Sequence, residues 1–413
     1  MMSTAYIFGT GKDATNVYEK YKDKYNISGF LDNDPQKWGS LFCGMPVFQP
    51  QAKYAAADVI IIGSNLYKGE MEIQLRNDLG LSHEKIITPS FVNVSDYIQT
   101  PPGISVSLGS GKCINRCSIC PQQFGRAHEQ LLDIKVLEKA IIEIPNATPD
   151  VTLTAYYEPL LVPNLLECVK IVSDRKPGAK MTINTAGILF DETLFKKLLP
   201  YLSGIKVSLN AVTADDFSYL TGGIPDNFDK AIGNIFRLKE LSMKIAPKLD
   251  VVLQILKLKK VNYEQLHSFL APFRKKGIRV HYCDVYNWGG IADTGKIIET
   301  RLRESDFVPM LQTNKRRYPC LALFSSIQLY EDGFYYPCPP AKRSGSKFDG
   351  LPIGDARKMH FKEAYDVLRT YQNRHLAGDY DCLDCSTCDG WAIHSKEIFS
   401  DYISDDNAHQ IES

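Results

Sequence analysis

The run ISVSLGS at 104–110 alternates apolar and small polar residues and opens directly into Gly111-Lys112-Cys113-Ile114-Asn115-Arg116-Cys117-Ser118-Ile119-Cys120-Pro121. The alternation reads as a β-strand, so three cysteines sit on the loop that leaves it. Three thiolates spaced this closely can hold three corners of a 4Fe-4S cluster and leave one iron open. The competing reading is structural zinc, which usually takes four protein ligands in paired spacings.

Outward from this loop the chain alternates strand and helix patterns. After 104–110 come a helical stretch from Ile134 to Ile144, VTLTAYY, Leu165 to Ser173, MTINTAG, Leu194 to Leu199 and IKVSLNAV. Then follow Phe228 to Met243, LDVVLQILKL, Tyr263 to Lys275 and IRVHYCDVYN. Six strands with intervening helices predict an α/β fold with a parallel sheet curled as a partial (β/α)6 barrel. Chemistry in such barrels gathers at the C-terminal strand ends, where the thiol loop lies.

Composition limits the alternatives. Lys plus Arg and Asp plus Glu are 48 each, so no surplus charge favours nucleic acid or an anionic membrane, and neither is an expected partner. No run of 18 apolar residues is present, and the opening MMSTAYIFGTGKD has no basic segment followed by an apolar one. A cytoplasmic location is expected. Eleven cysteines then point to metal or redox chemistry rather than to disulfides.

The Cys-x3-Cys-x2-Cys spacing of Cys113, Cys117 and Cys120, on this loop of this barrel, resembles the radical S-adenosylmethionine (SAM) superfamily over about residues 104–390. The resemblance implies that SAM chelates the open iron through its amino and carboxylate groups. It further implies reductive SAM cleavage to a 5'-deoxyadenosyl radical, with a reductant such as flavodoxin or ferredoxin. Tyr156-Tyr157-Glu158-Pro159 stands where the family has Gly-Gly-Glu-Pro, which makes Glu158 the acid matched to the SAM ammonium; a solvated loop acid is the plainer reading. Asn184, Ser208 and Asn210, at strand ends, are the implied polar contacts of the SAM ribose and carboxylate. Ile119 departs from the pattern, since an aromatic residue commonly precedes the last cysteine.

A second group of thiols lies toward the C-terminus: Cys320, Cys338, Cys382, Cys385 and Cys388. An Asp332-Gly333 turn between two apolar runs predicts a hairpin presenting Cys320 and Cys338. This region resembles the SPASM and twitch extensions of radical SAM enzymes, which implies one auxiliary 4Fe-4S cluster with one thiol of Cys382, Cys385 and Cys388 to spare. A zinc knuckle is the alternative. Of the remaining thiols, Cys43 and Cys168 have apolar neighbours and read as core residues, while Cys283 lies near the end of the sixth strand. There it is a candidate hydrogen-atom donor or an ordinary packed thiol.

Residues 1 to about 95 read as a smaller β-α-β unit with a third strand. Gly9-Thr10-Gly11-Lys12-Asp13-Ala14 fits the dinucleotide-binding glycine turn, and Asp32 ends the next strand, giving Gly9, Gly11 and Asp32 as a candidate nucleotide site. A glycine turn that binds nothing, or only a protein, is the alternative. GFLDNDPQKWG and Gly44-Met45-Pro46-Val47 resemble N-terminal modules of capsule and surface-polysaccharide biosynthesis proteins. The expected organisation is a Rossmann-like module at 1–98, a barrel at 99–310 and a cysteine-rich auxiliary-cluster domain at 311–413. The expected substrate is a small molecule, a sugar or nucleotide-linked sugar undergoing oxidation, epimerisation or dehydration; a peptide or protein side chain is the second possibility, and a non-enzymatic metal scaffold the third.

Overall fold

In the computed structural model the described residues are 2–82, 85–89, 102–111, 113–117, 120, 129–146, 150–257, 261–283, 317–339, 352–380, 385, 388 and 390. Six short strands open the chain: β1 (Thr4–Phe8), β2 (Asn26–Leu31), β3 (Leu41–Phe42), β4 (Met45–Phe48), β5 (Val59–Ile62) and β6 (Ile86–Ile87). They form one sheet in the order β3-β4-β2-β1-β5-β6, parallel except for β3. Its strands read as continuous apolar runs because both faces are covered. Ala5, Ile7, Phe30 and Ile61 pack with Ala14 and Val17 on one face, and Phe8, Leu31, Ile60 and Ile62 with Leu75 and Leu81 on the other. By Cα proximity this unit is residues 1–93 with 257–271 and 304–315.

The helix after β1 runs Ala14–Tyr21. Asp13 takes the N-cap position. Gly9 has φ +108°, and a Cβ there would meet Met71 Cε at 3.0 Å, so the first glycine of the turn is a backbone requirement. Gly11 is different, since a Cβ there meets nothing within 4 Å. Cys43, expected in the core, is exposed at the turn between β3 and β4 with φ +50°. Its apolar neighbours belong to a hairpin corner. Cys168 is buried as expected, and burial pushes its thiol up to about 12.

The second unit carries the expected six parallel strands: β7 (Gly103–Ser110), β9 (Asp150–Tyr156), β10 (Lys180–Thr185), β11 (Gly204–Asn210), β12 (Asp250–Leu256) and β13 (Arg279–Cys283), adjacent in that order. Between β7 and β9 the two-residue β8 (Gln130–Leu131) pairs antiparallel with the end of β7. The period of two is nearly unbroken. Ile104, Val106, Leu108, Val151, Leu153, Met181, Ile183, Ile205, Val207, Leu209, Val251, Leu253 and Ile255 are all at most 2% exposed. Alternating with them are Ser105, Ser107, Thr152, Thr154, Thr182, Asn184, Lys206, Ser208, Asn210 and Gln254. Val207 turns toward Ala231 of the helix Asp226–Ile245, so the apolar set faces the helices and the polar set lines the inner face. Thr152 and Thr182 hydroxyls lie 3.2 Å apart across that inner face.

On its other edge β7 pairs in parallel with β14 (Ser326–Leu329), which turns antiparallel through the expected Asp332-Gly333 corner into β15 (Phe334–Tyr336) and then β16 (Gly354–Asp355). The helix Phe361–Leu376 follows. Among the described residues no helix is long and apolar enough to cross a membrane.

Candidate cluster and cofactor site

Cys113, Cys117 and Cys120 follow β7 directly, and all three are partly buried. The loop is fixed to the end of the helix Ala214–Thr221, where Arg116 N–H donates to the Thr221 carbonyl at 2.7 Å. Gly222 caps that helix with φ +59°, and a Cβ on it would meet the Arg116 carbonyl oxygen at 3.0 Å. A glycine here lets the loop lie against the helix end. Cys120 N–H donates to the Cys117 carbonyl at 2.9 Å, which makes a tight turn of the second and third thiols. Burial pushes the Cys113 thiol up, and the Glu158 carboxylate adds to this; N–H groups of Asn115, Glu158 and Ile114 directed at the sulfur work the other way. Those same N–H groups would stabilise a thiolate bound to iron.

Glu158 follows the end of β9 and is 2% exposed. Its carboxylate accepts from Thr185 Oγ1 at 2.6 Å, Ala186 N–H at 2.8 Å and Leu160 N–H at 3.3 Å. Burial pushes the carboxyl up, and the Thr185 hydroxyl and the Ala186 and Leu160 N–H groups oppose it. The acid therefore ties the end of β9 to the end of β10 directly beside Cys113. It is no solvated loop acid.

The inner faces of β10 and β11 carry the other strand-end residues. Asn184 is in register with Lys206, and Ser208 with Gln254 of β12. Asn210 has φ +65°, a left-handed conformation that asparagine tolerates better than most residues. The register shifts at this point, and Gln254 Nε2 donates to Asn210 Oδ1 at 2.9 Å. Cys283 closes β13 opposite Leu256. Two residues absent from the sequence reading join this surroundings. Lys206 shares the inner face of β11, and the buried Glu331 accepts from Ser107 Oγ at 2.9 Å. The alternation in IKVSLNAV already carried the signal for Lys206.

The C-terminal thiols come from separate segments. Cys320 precedes the short helix Ala322–Ser325, Cys338 follows β15, and Cys385 and Cys388 lie beyond the helix Phe361–Leu376. Cys382 lies outside the described residues. Two side chains connect the segments. His375, 0% exposed, accepts the Cys320 N–H on Nδ1 at 3.1 Å and meets Tyr380 edge to face. Arg317 stacks on Tyr380 with 4.5 Å to the ring centre and donates to the Cys385 carbonyl at 2.6 Å. Because Nδ1 accepts, the Nε2 of His375 carries the ring proton, and it meets no acceptor among the described residues. The bond to Nδ1 holds the backbone of Cys320 in place. No three His, Cys, Asp or Glu side chains among the described residues converge as ligands of one metal ion.

The profile of the Radical SAM superfamily matches residues 108–271, from the end of β7 and its thiol loop into the helix after β12. Residues 108–271 belong to the radical SAM superfamily. A second profile, C2185-like, N-terminal, matches residues 1–87. Among curated proteins, a GTP 3',8-cyclase of Chlorobaculum tepidum is 25% identical over 232 residues, 55% of this chain and 66% of its own length. A UPF0026 protein of Helicobacter pylori is 28% identical over 167 residues, 39% of this chain and 53% of its own. The chain thus spans about half to two thirds of the length of the curated relatives it matches. Among solved structures, Streptococcus suis SuiB bound to precursor peptide SuiA superposes with a TM-score of 0.50 at 15% identity, covering 84% of this chain and 87% of that one. The likeness is one of fold.

The glycine turn of the first unit has a different character from the radical SAM loop. Asp32, 8% exposed, accepts from Thr10 N–H at 2.9 Å, from the Thr10 hydroxyl, from Asp34 N–H at 2.9 Å and from Lys37 Nζ at 3.2 Å. Burial works to raise the Asp32 carboxyl, yet these bonds hold it below the usual carboxylate range. The acid expected to meet a ribose already holds the turn itself closed.

Proposed function

We propose that this radical SAM superfamily enzyme binds a 4Fe-4S cluster on Cys113, Cys117 and Cys120 and uses it to act on a sugar or nucleotide-linked sugar. The observation that carries the reading is the three-thiol loop after β7, with Glu158 buried beside Cys113 at the end of β9. When bound, the cluster supplies the electron that cleaves SAM to methionine and a 5'-deoxyadenosyl radical, which takes a hydrogen atom from the substrate. Glu158 offers a carboxylate for the SAM ammonium while its bonds to Thr185 and Ala186 hold it in place. Asn184, Ser208 and Asn210 supply polar groups on the inner face for the ribose and carboxylate of SAM. Cys320, Cys338 and two of Cys382, Cys385 and Cys388 are proposed to hold an auxiliary 4Fe-4S cluster, with His375 fixing the backbone of Cys320. The sugar assignment draws on the first unit, a parallel sheet whose glycine turn opens a helix. A peptide substrate is the reading it competes with. Anaerobic reconstitution, reduction and assay for 5'-deoxyadenosine, with candidate sugars and peptides present, tests the proposal. Reconstituted enzyme that binds iron on these thiols but never yields 5'-deoxyadenosine would sink it.

A further inference from the structure

Lys206 occupies an unusual place. Its neighbours Ile205 and Val207 are each 1% exposed against the helices, so the strand alternation puts Lys206 on the inner face with Ser208 and Asn210. It is in register with Asn184 of β10, and Cys283 at the end of β13 is near enough for its sulfur to act on the ammonium. Two other lysines shielded from solvent have polar partners. Lys257 meets Glu72 at 2.7 Å, and Lys176 donates to the Ile144 carbonyl and to Asn146 Oδ1. Lys206 meets no carboxylate among the described residues. Lys206 is partly buried, and an ammonium on a concave polar surface that meets no carboxylate among the described residues is suited to an incoming anion.

We propose that Lys206 binds an anionic group of the substrate, a phosphate or a carboxylate, inside the barrel. The word substrate rests on the radical SAM reading; the anion site rests on the inner face of β10, β11 and β13. Burial pushes the Lys206 ammonium below the usual lysine range, with Cys283 opposing, and a bound anion would restore it. Lys206 lies two positions before Ser208 and four before Asn210 on β11, level with Asn184 of β10. A substrate held there has its anion near Cys283 and its remainder toward the strand ends. The shared chemistry covers a nucleotide-linked sugar and an acidic sugar alike.

The test is amine footprinting of the full-length protein. Limited acetylation by N-hydroxysuccinimidyl acetate is followed by mass spectrometry of the Lys206 peptide. Solutions contain inorganic phosphate, acetate, SAM or chloride at one ionic strength. Phosphate or acetate is expected to slow Lys206 acetylation roughly tenfold at about ten times its Kd, with chloride inert. Whichever anion protects identifies the group. Lys206→Met should also lose the rise in Tm that this anion gives the wild type. Equal labelling in every solution, or an undiminished Tm rise in the variant, would overturn the proposal. Protection by SAM alone would overturn it too, because Lys206 would then serve the SAM carboxylate. Neither measurement needs iron or SAM cleavage, so failure of the radical SAM reading appears separately, as missing 5'-deoxyadenosine.

Discussion

Two groups of thiols are built in opposite ways. Cys113, Cys117 and Cys120 come from one loop, fixed to the end of one helix by the backbone bond from Arg116 to Thr221 and by a glycine that lets the two approach. Cys320, Cys338, Cys385 and Cys388 come from segments far apart in sequence, and His375, Tyr380 and Arg317 join that of Cys320 to that of Cys385. A local ligand set forms wherever its strand and helix form. A distributed set depends on side chains that are not ligands.

The largest effects should separate the two groups cleanly. Replacing Cys113, Cys117 and Cys120 together by Ala should abolish 5'-deoxyadenosine formation while leaving about four irons per chain on the C-terminal thiols. Iron and sulfide analysis checks the second half, and a variant holding one zinc and no iron would return that region to a zinc site. Conversely, Cys320→Ala with Cys385→Ala should remove about four irons and leave the SAM-responsive spectrum of the first cluster in place. If both variants lost all iron, the two groups would not be independent.

Smaller effects probe the supports. Glu158→Gln should weaken SAM binding about tenfold or more without loss of iron, because a charge-assisted hydrogen bond contributes about 1.5–3 kcal/mol. Calorimetry on reconstituted enzyme measures it. Gly222→Ala should cost about 1–2 kcal/mol for the left-handed backbone alone, with more for displacing Arg116, and should lower iron retention by the first loop before it touches the second group. Asp32→Asn should cost about 1–3 kcal/mol at neutral pH, read by denaturant unfolding. Since the folded carboxyl is held below its usual range, that stabilisation is present above the unfolded carboxylate pKa and fades as pH falls through the folded one. A penalty that stayed constant into acid would mean the bonds to Thr10 and Lys37 are not the cause.

The contrast also explains what could be read in advance. Six strands were legible because every inner position alternates with one that is fully buried, and the first thiol group because its spacing is contained in one loop. The pairing of Cys320 with His375 was not, since the His lies at the end of a helix whose packing no local pattern announces. Asp32 shows what a local pattern leaves open. A glycine turn followed by an acid is the same sequence whether the acid meets a ribose or holds Thr10 and Lys37, and only the fold distinguishes them. Cys43 failed for a related reason, because apolar neighbours mark a hairpin corner as readily as a core. Lys206 was visible in the alternation of its own strand, yet that it meets no carboxylate among the described residues required the neighbouring strands.

The central claim is that SAM binds and is cleaved at the loop after β7. Its most direct test is electron paramagnetic resonance of the reduced, anaerobically reconstituted enzyme with and without SAM, alongside assay of 5'-deoxyadenosine in the same samples. The expected result is a cluster signal that changes on adding SAM and 5'-deoxyadenosine that accumulates, both lost in the Cys113, Cys117 and Cys120 triple Ala variant. A cluster signal indifferent to SAM, or 5'-deoxyadenosine formed equally by the triple variant, would contradict it.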